Sequence, residues 1–174
     1  MLTYFKKRRL RYLLEEHPDL RGSRYLSMNN IRSVVLLIEF RDFQMLGPFI
    51  ESISKKNKTL QVLLINAPNK FQEIPNVRMI RKNEISLWGY PKRALREYLK
   101  TLHPDCLITL SLRRKELLLL LATLIRGELK TGIYIDEPHP FNLMIEQTDG
   151  KTLDILANEL LFYLNKIESN DLNL

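Results

Sequence analysis

Three nearly continuous apolar runs of strand length constrain the fold of this chain most. They cover residues 33–40, 59–65 and 105–112. These runs contain β-branched residues and lack the strict alternation of polar and apolar side chains that marks a strand with one wet face. Strands covered on both faces are typical of parallel sheets with helices on either side. The pattern therefore predicts an α/β protein.

Amphipathic segments follow these runs. Apolar residues three or four positions apart predict helices at 43–56, 91–102, 115–126 and 151–167. Shorter strands are predicted at 77–80, 131–135 and 141–146. Because strand, helix, strand passages form right-handed crossovers, the fold class is a three-layer Rossmann-like sandwich with a mostly parallel sheet of five or six strands. The loop at residues 136–140 is short enough for a hairpin, so we expect an antiparallel edge strand at 141–146.

The length of 174 residues fits one domain. We predict a basic N-terminal helix and connector over residues 1–30, a single α/β domain over 31–168 and a frayed tail over 169–174. Cys106 is the only cysteine and lies in an apolar strand, which indicates a buried thiol in a reducing compartment. The basic start lacks the apolar segment of a secretory signal, and no apolar run is long enough to cross a bilayer. A cytoplasmic protein is expected.

The net charge of +7 is concentrated near the N-terminus. Residues 1–25 hold seven basic and three acidic side chains, a local excess of +4. Such a cluster suits an anionic partner, either RNA or an anionic membrane surface, and the alternative is a solvated basic helix. The predicted polyanion contacts are Lys6, Lys7, Arg8, Arg9 and Arg11.

A second group of candidates follows the predicted strands. In open parallel sheets, ligands bind outside the carboxyl ends of the strands. Candidate anion-binding residues at this edge are Arg41, Lys70, Arg113 and Arg114, and candidate acid and base groups are Asp136, Glu137 and His139. A carboxylate and an imidazole between prolines could transfer a proton, but the alternative is a stiff polar turn.

Recognisable catalytic devices are absent from the sequence. The turn after the first strand contains no glycine, which disfavours a Rossmann or P-loop nucleotide site. There is no Gly-x-Ser-x-Gly elbow and no His-Glu-x-x-His helix, and the isolated histidines give no metal-ligand set. No cofactor and no metal are therefore predicted. Trp88 is expected either to cap the core beneath a helix or to anchor a partner surface.

The order of these segments resembles a family of small bacterial α/β proteins of unknown function. The likeness rests on the basic N-terminal helix, the Trp-Gly-Tyr-Pro turn at 88–91, Pro-Asp-Cys-Leu-Ile-Thr-Leu at 104–110 and Phe-Asn-Leu-Met-Ile-Glu at 141–146. Residues 105–132 also resemble, more faintly, the acceptor half of heptosyltransferase-like glycosyltransferases. The first likeness brings no activity with it, and the second supports the fold rather than catalysis.

These observations favour a non-enzymatic binding module whose basic helix meets an anionic partner; a protein partner is a further option. The alternatives are a small enzyme or ligand-binding domain acting at the strand ends, and an orphan transferase-like half-domain that needs a second chain.

Overall fold

The computed structural model describes residues 2–56, 58–68, 74–113 and 115–167. Lys70, Arg114 and the tail expected at 169–174 lie outside this part of the chain. Within it, six parallel strands form one sheet in the order β3-β2-β1-β4-β5-β6. The strands are β1 Ser33–Glu39, β2 Thr59–Ile65, β3 Val77–Ile80, β4 Cys106–Leu110, β5 Leu129–Ile133 and β6 Leu143–Ile145.

Helices cover both faces of the sheet, which confirms the predicted α/β class. The helices are α1 Leu2–Glu16, α2 Gly47–Ser54, α3 Arg93–Thr101, α4 Glu116–Leu124 and α5 Leu153–Lys166. One core joins α2 and α5 to the first face, and the other joins α1, α3 and α4 to the second. Among the described residues, no helix has the length and apolar character needed to span a membrane.

The contact between β1 and β4 is fixed at the start of both strands by Asp105. Its carboxylate accepts hydrogen bonds from the backbone amides of Arg32 at 2.7 Å and Ser33 at 2.8 Å. The Ser33 hydroxyl in turn accepts a hydrogen bond from the Asp105 amide at 3.0 Å. Partial burial raises the pKa of Asp105, but these hydrogen bonds outweigh it and the net pKa is lowered. The ionised side chain thus sets the register of the central strand pair.

The sheet contains no antiparallel edge among its described strands, contrary to our expectation for residues 141–146. β6 runs parallel to β5, with Thr131 opposite Leu143 and Ile133 opposite Ile145. Residues 134–142 make the return, because β5 ends at Ile133 and β6 begins only at Leu143. This connection is long enough to pass back over the sheet, and Phe141 on it packs into the core of α1, α3 and α4.

Gly132 makes that return path sterically feasible. A Cβ at this position would lie 2.8 Å from the carbonyl oxygen of Thr109 and 3.1 Å from the ring of Phe141. Any larger residue would push the aromatic ring off the sheet. The close approach of the connection to β5 therefore depends on glycine here.

Lys130 of β5 ties the N-terminal region to the sheet. Its side chain is completely buried, and its ammonium group donates hydrogen bonds to the carbonyl oxygens of Leu20 at 2.6 Å, Ala122 at 2.9 Å and Thr123 at 3.4 Å. Two of these acceptors belong to the last turn of α4, where carbonyls lack partners within the helix. The third lies just after α1, so one side chain connects α1, α4 and β5.

We expect Lys130→Met to remove a pH dependence of stability. Burial lowers the pKa of Lys130 to about 7, with Asp19 opposing the shift. Above this pH the unfolded chain binds more protons than the folded one, so the free energy of unfolding rises with pH. Between about pH 7 and 9 the rise due to Lys130 is about 2 kcal/mol.

The measurement is urea unfolding of both proteins across this range. The difference between the two slopes isolates Lys130, because every other titrating group is common to both. Parallel curves for the wild type and the variant would contradict the assignment, whatever the absolute stability of the variant.

Candidate functional site

The strand order reverses between β1 and β4, so the chain leaves these neighbouring strands in opposite directions. In open α/β sheets this point is where ligands bind. Glu39 ends β1 here and is buried, with 4% of its surface exposed. Its carboxylate lies 2.8 Å from Arg41 Nη2 and 3.7 Å from Lys115 Nζ, and it accepts a hydrogen bond from Asn66 at 3.4 Å. The carboxyl ends of the strands form one edge of the sheet, which we call the strand-end rim. A buried carboxylate therefore occupies the centre of this rim.

Arg41, a predicted anion-binding residue, is engaged by two carboxylates of the protein. Besides Glu39, it lies 3.7 Å from Asp42. Burial raises the pKa of Asp42 despite this cation. Arg113 is exposed on the loop after β4. Both of these predicted rim cations are therefore exposed, and Arg41 is paired with carboxylates of the protein.

Glu137 and His139 lie together on the β5–β6 connection, while Asp136 is exposed beside them. The His139 Nε2 is 3.3 Å from the Glu137 carboxylate, and its Nδ1 accepts the Phe141 amide at 3.3 Å. Burial raises the pKa of Glu137, but hydrogen bonds from Arg21 and the His139 amide outweigh it and lower the net pKa. These contacts hold the connection against the segment after α1.

A groove between α1 and α3 is lined by more cationic than anionic side chains. It has a volume of about 270 Å³, and Leu13 and Leu124 form part of its apolar floor. Its polar lining comprises Arg9, His17, Asp19, Tyr90, Arg96, Lys100 and Arg126. Four permanent cations therefore face a single carboxylate in the lining.

Arginine side chains contact the aromatic ring in this groove. The guanidinium carbons of Arg9 and Arg96 lie 5.5 Å and 5.3 Å from the centre of the Tyr90 ring. Arg96 Nε is buried and donates to no acceptor within the described part of the chain. Lys100 makes a 3.6 Å ion pair with Glu97 on the exposed surface. Cation–π contacts orient both arginines while leaving their donors for another acceptor.

The groove continues into a second cleft next to the Trp88 turn. This cleft is lined by Lys6, Arg9, Trp88, Tyr90 and Leu120, so the two share Arg9 and Tyr90. Trp88 is 69% exposed and Leu87 is 97% exposed. The expectation that Trp88 caps the core is therefore wrong, and the tryptophan stands at the surface.

Gly89 lets α1 approach this turn. Its φ is +72°, which few other residues adopt, and a Cβ here would lie 2.0 Å from Lys6 Cε. The turn thus brings an exposed aromatic ring beside a basic helix.

The predicted polyanion contacts separate on opposite sides of α1. Lys6 and Arg9 line the grooves, whereas Arg8 and Arg11 are exposed elsewhere and Lys7 is half-buried outside the lining. Leu10, Leu13 and Leu14 are buried and dock the helix on α4. The basic helix is therefore packed on the domain through its apolar side.

Sequence reasoning missed Arg96, Lys100, Arg126 and Tyr90. The spacing of Arg96 and Lys100 places both on one side of a helix, a signal that was available. Their meeting with Lys6 and Arg9 depends on the docking of α1, which no local pattern encodes. Within the described residues there is no group of three or more histidine, cysteine, aspartate or glutamate side chains that could hold a metal ion.

The chain belongs to a family of unknown function, DUF6913, whose model matches residues 3–167. No curated protein and no solved structure matches the chain. The matched residues contain the whole sheet and, apart from the first residue of α1, every helix described above.

We expect Arg41→Ala to lower the free energy of unfolding by about 1 to 2 kcal/mol, because it removes the nearest charged partner of the buried Glu39 carboxylate. The matched control is Arg24→Ala, which removes an exposed ion pair with Glu128 and should cost under about 0.5 kcal/mol. Urea unfolding at neutral pH measures both. Equal losses in the two variants would show that the Glu39 ion pair behaves like a surface pair.

Proposed function

We propose that this protein binds single-stranded nucleic acid, without dependence on sequence, in the groove between α1 and α3. The observation that carries the proposal is the lining of this groove and the adjoining cleft by cations and aromatic rings: Lys6, Arg9, Arg96, Lys100 and Arg126 with Tyr90 and Trp88. Proteins that bind single strands combine a positive groove along the backbone with aromatic side chains on which bases stack. Both parts are present here in adjoining clefts.

Phosphate contacts are assigned to the arginines. Arg96 Nε is buried without an acceptor in the described structure, and a phosphate oxygen would supply one. The Arg9 guanidinium lies 5.5 Å from the centre of the same Tyr90 ring. Guanidinium groups bind phosphate with two parallel hydrogen bonds, so two arginines around one ring can hold consecutive phosphates.

The aromatic end of the groove is assigned to base stacking. Trp88 is largely exposed and borders the same cleft as Lys6. A tryptophan on a turn offers a flat face to any base, which accounts for binding without sequence preference. Leu87 beside it is also exposed and extends the apolar surface.

The shape of the basic surface favours nucleic acid over a membrane. The cations line concave clefts whose floor includes buried leucines of α1 and α4. A lipid surface contacts convex features and would reach Leu87 and Trp88 more readily than Arg96 or Arg126. Anionic vesicles therefore serve as the competing ligand in the experiments below.

We expect the double substitution Arg9→Gln and Arg96→Gln to weaken binding to fluorescently labelled oligouridylate at least about tenfold at low salt. Each phosphate contact on a single strand adds about 0.7 to the slope of log K against log salt, so the slope should fall by about 1.4. Fluorescence anisotropy across a salt series measures both quantities.

The matched control is Arg8→Gln with Arg11→Gln, which removes the same charge from outside the groove. Its affinity and slope should stay close to those of the wild type. If both double variants lose affinity equally, a diffuse positive field rather than the groove binds the strand. Binding to anionic vesicles but not to oligouridylate would overturn the proposal in favour of a membrane surface.

Trp88→Ala should weaken oligouridylate binding about fivefold or more, because one stacked base contributes about 1 to 3 kcal/mol. It should leave the salt slope unchanged, since no charge is lost. Trp88 is the only tryptophan, so quenching of its fluorescence by the wild-type ligand gives an independent reading. Full affinity in the variant together with an unquenched wild-type signal would exclude stacking at this position.

A further inference from the structure

The groove between α1 and α3 and the cleft beside Trp88 form one path with two unlike ends. Lys6 and Arg9 of α1 line the cleft, whereas Arg9 and His17 line the groove. At about 1.5 Å per residue, the positions of Lys6 and His17 are about 16 Å apart along the helix axis. The path therefore runs from Trp88 to the segment that follows α1. We call the end at residues 17–20 the far end.

Two cations lie toward the far end. Lys100 and Arg126 line the groove but not the cleft beside Trp88. Lys100 is one helical turn beyond Arg96 on α3, and Arg126 comes after the last residue of α4. Both side chains are exposed, and Arg126 has no carboxylate partner among the described residues. Their charges are therefore available to an anion in the groove.

Hydrogen bonds between three elements bound the groove at the far end. The buried Lys130 ammonium joins the carbonyl of Leu20, which lines the groove, to the carbonyl of Ala122 on α4. The Arg126 amide donates to the Leu102 carbonyl at 3.2 Å, which joins the end of α4 to the end of α3. The segment after α1, the end of α3 and the end of α4 are thus held together where the groove ends. A ligand that fills the groove meets backbone at this end.

The charge of the groove fits the end of a strand better than its middle. Its volume of about 270 Å³ is close to the lower limit of about 300 Å³ for sites of drug-sized ligands, so it holds about one nucleotide. Four permanent cations and the single carboxylate of Asp19 leave a net charge of +3 in the lining. An internal phosphodiester carries one negative charge, whereas a terminal phosphate monoester carries about 1.5 to 2 at neutral pH. A terminal nucleotide with both groups carries about three negative charges and balances the lining.

We infer that the far end binds the terminal phosphate monoester of a single strand, so that the protein recognises a phosphorylated end rather than the middle of a strand. Lys100 and Arg126 contact the monoester oxygens, which offer more charge and more acceptors than a diester. Arg9 and Arg96 contact the next phosphate, and Trp88 stacks on a base farther along the path. This specificity rests on the proposed nucleic-acid binding in the groove. A 5′-phosphate and a 3′-phosphate share the chemistry, and the experiment distinguishes them.

The test compares three oligouridylates of equal length, each with an internal fluorophore, by fluorescence anisotropy. One carries a 5′-phosphate, one carries a 3′-phosphate and one has hydroxyls at both ends. We expect one phosphorylated strand to bind at least about tenfold more tightly than the hydroxyl-ended strand at low salt, because hydrogen bonds to a charged group are gained. A hydroxyl-ended strand two nucleotides longer has about the same added charge and should not reproduce the gain.

Substitutions at the far end should remove this preference. In the protein with Lys100→Gln and Arg126→Gln, the affinities for the phosphorylated and hydroxyl-ended strands should become nearly equal, because both cations assigned to the monoester are lost. The matched control is Lys92→Gln with Arg93→Gln, which removes the same two side-chain types from exposed positions at the start of α3, outside the groove. This control should keep the preference. All four side chains are exposed, so both proteins are expected to fold, and thermal unfolding checks this.

Tighter binding of either phosphorylated strand that is lost in the Lys100→Gln, Arg126→Gln protein supports the terminal-phosphate site. Equal affinity of the three strands for the wild type would overturn it and leave single-strand binding in the groove intact. A preference that the longer strand reproduces, or that survives in the Lys100→Gln, Arg126→Gln protein, would overturn it too. Absence of binding to every strand would overturn the proposed function, and the terminal-phosphate site with it.

Discussion

The parallel pairing of β1 with β4 is the contact on which the rest of the structure depends. Val34 to Ile38 are buried between two layers of helices and meet Cys106 to Leu110 along their length. The Asp105 carboxylate fixes this register by accepting two amides at the start of β1. From this pair the chain builds outward, toward β2 and β3 on one side and toward β5 and β6 on the other. The strand order reverses at this pair, and this reversal places the candidate ligand position on the strand-end rim between β1 and β4.

The central strands could be predicted from the sequence because strands buried on both faces leave a simple signature, an unbroken apolar run. The bounds and orientation of the outer strands were harder to predict. β5 begins at Leu129, two residues before the predicted start. The prediction left these residues out because lysine is usually exposed, whereas Lys130 is buried. Its three carbonyl acceptors come from α4 and from the segment after α1, which are distant in the sequence. Only tertiary contacts make that lysine part of a strand.

The predicted antiparallel orientation of β6 was wrong for a related reason. Counting residues 136–140 as the loop gave a hairpin, but the described strands leave residues 134–142 between them. A connection of that length can return over the sheet if something fills the space beneath it, and Phe141 against Gly132 does so. Loop length alone could not distinguish these cases, because the strand ends depend on packing that the local pattern does not contain.

The candidate sites divide on whether a cation already has a carboxylate. Arg41 lies between Glu39 and Asp42, and Arg21 is paired with Glu137, so these rim and loop cations stabilise the fold. Arg9 and Arg96 instead contact the Tyr90 ring, which orients a guanidinium without neutralising it. The sequence placed positive charge correctly at the N-terminus, but it could not show which charges remain available to a ligand. That property arises when α1 docks on α4 and brings its cations beside those of α3. Because the buried Lys130 links the segment after α1 to the end of α4, the groove is positioned by an interaction within the core rather than by its own surface charges.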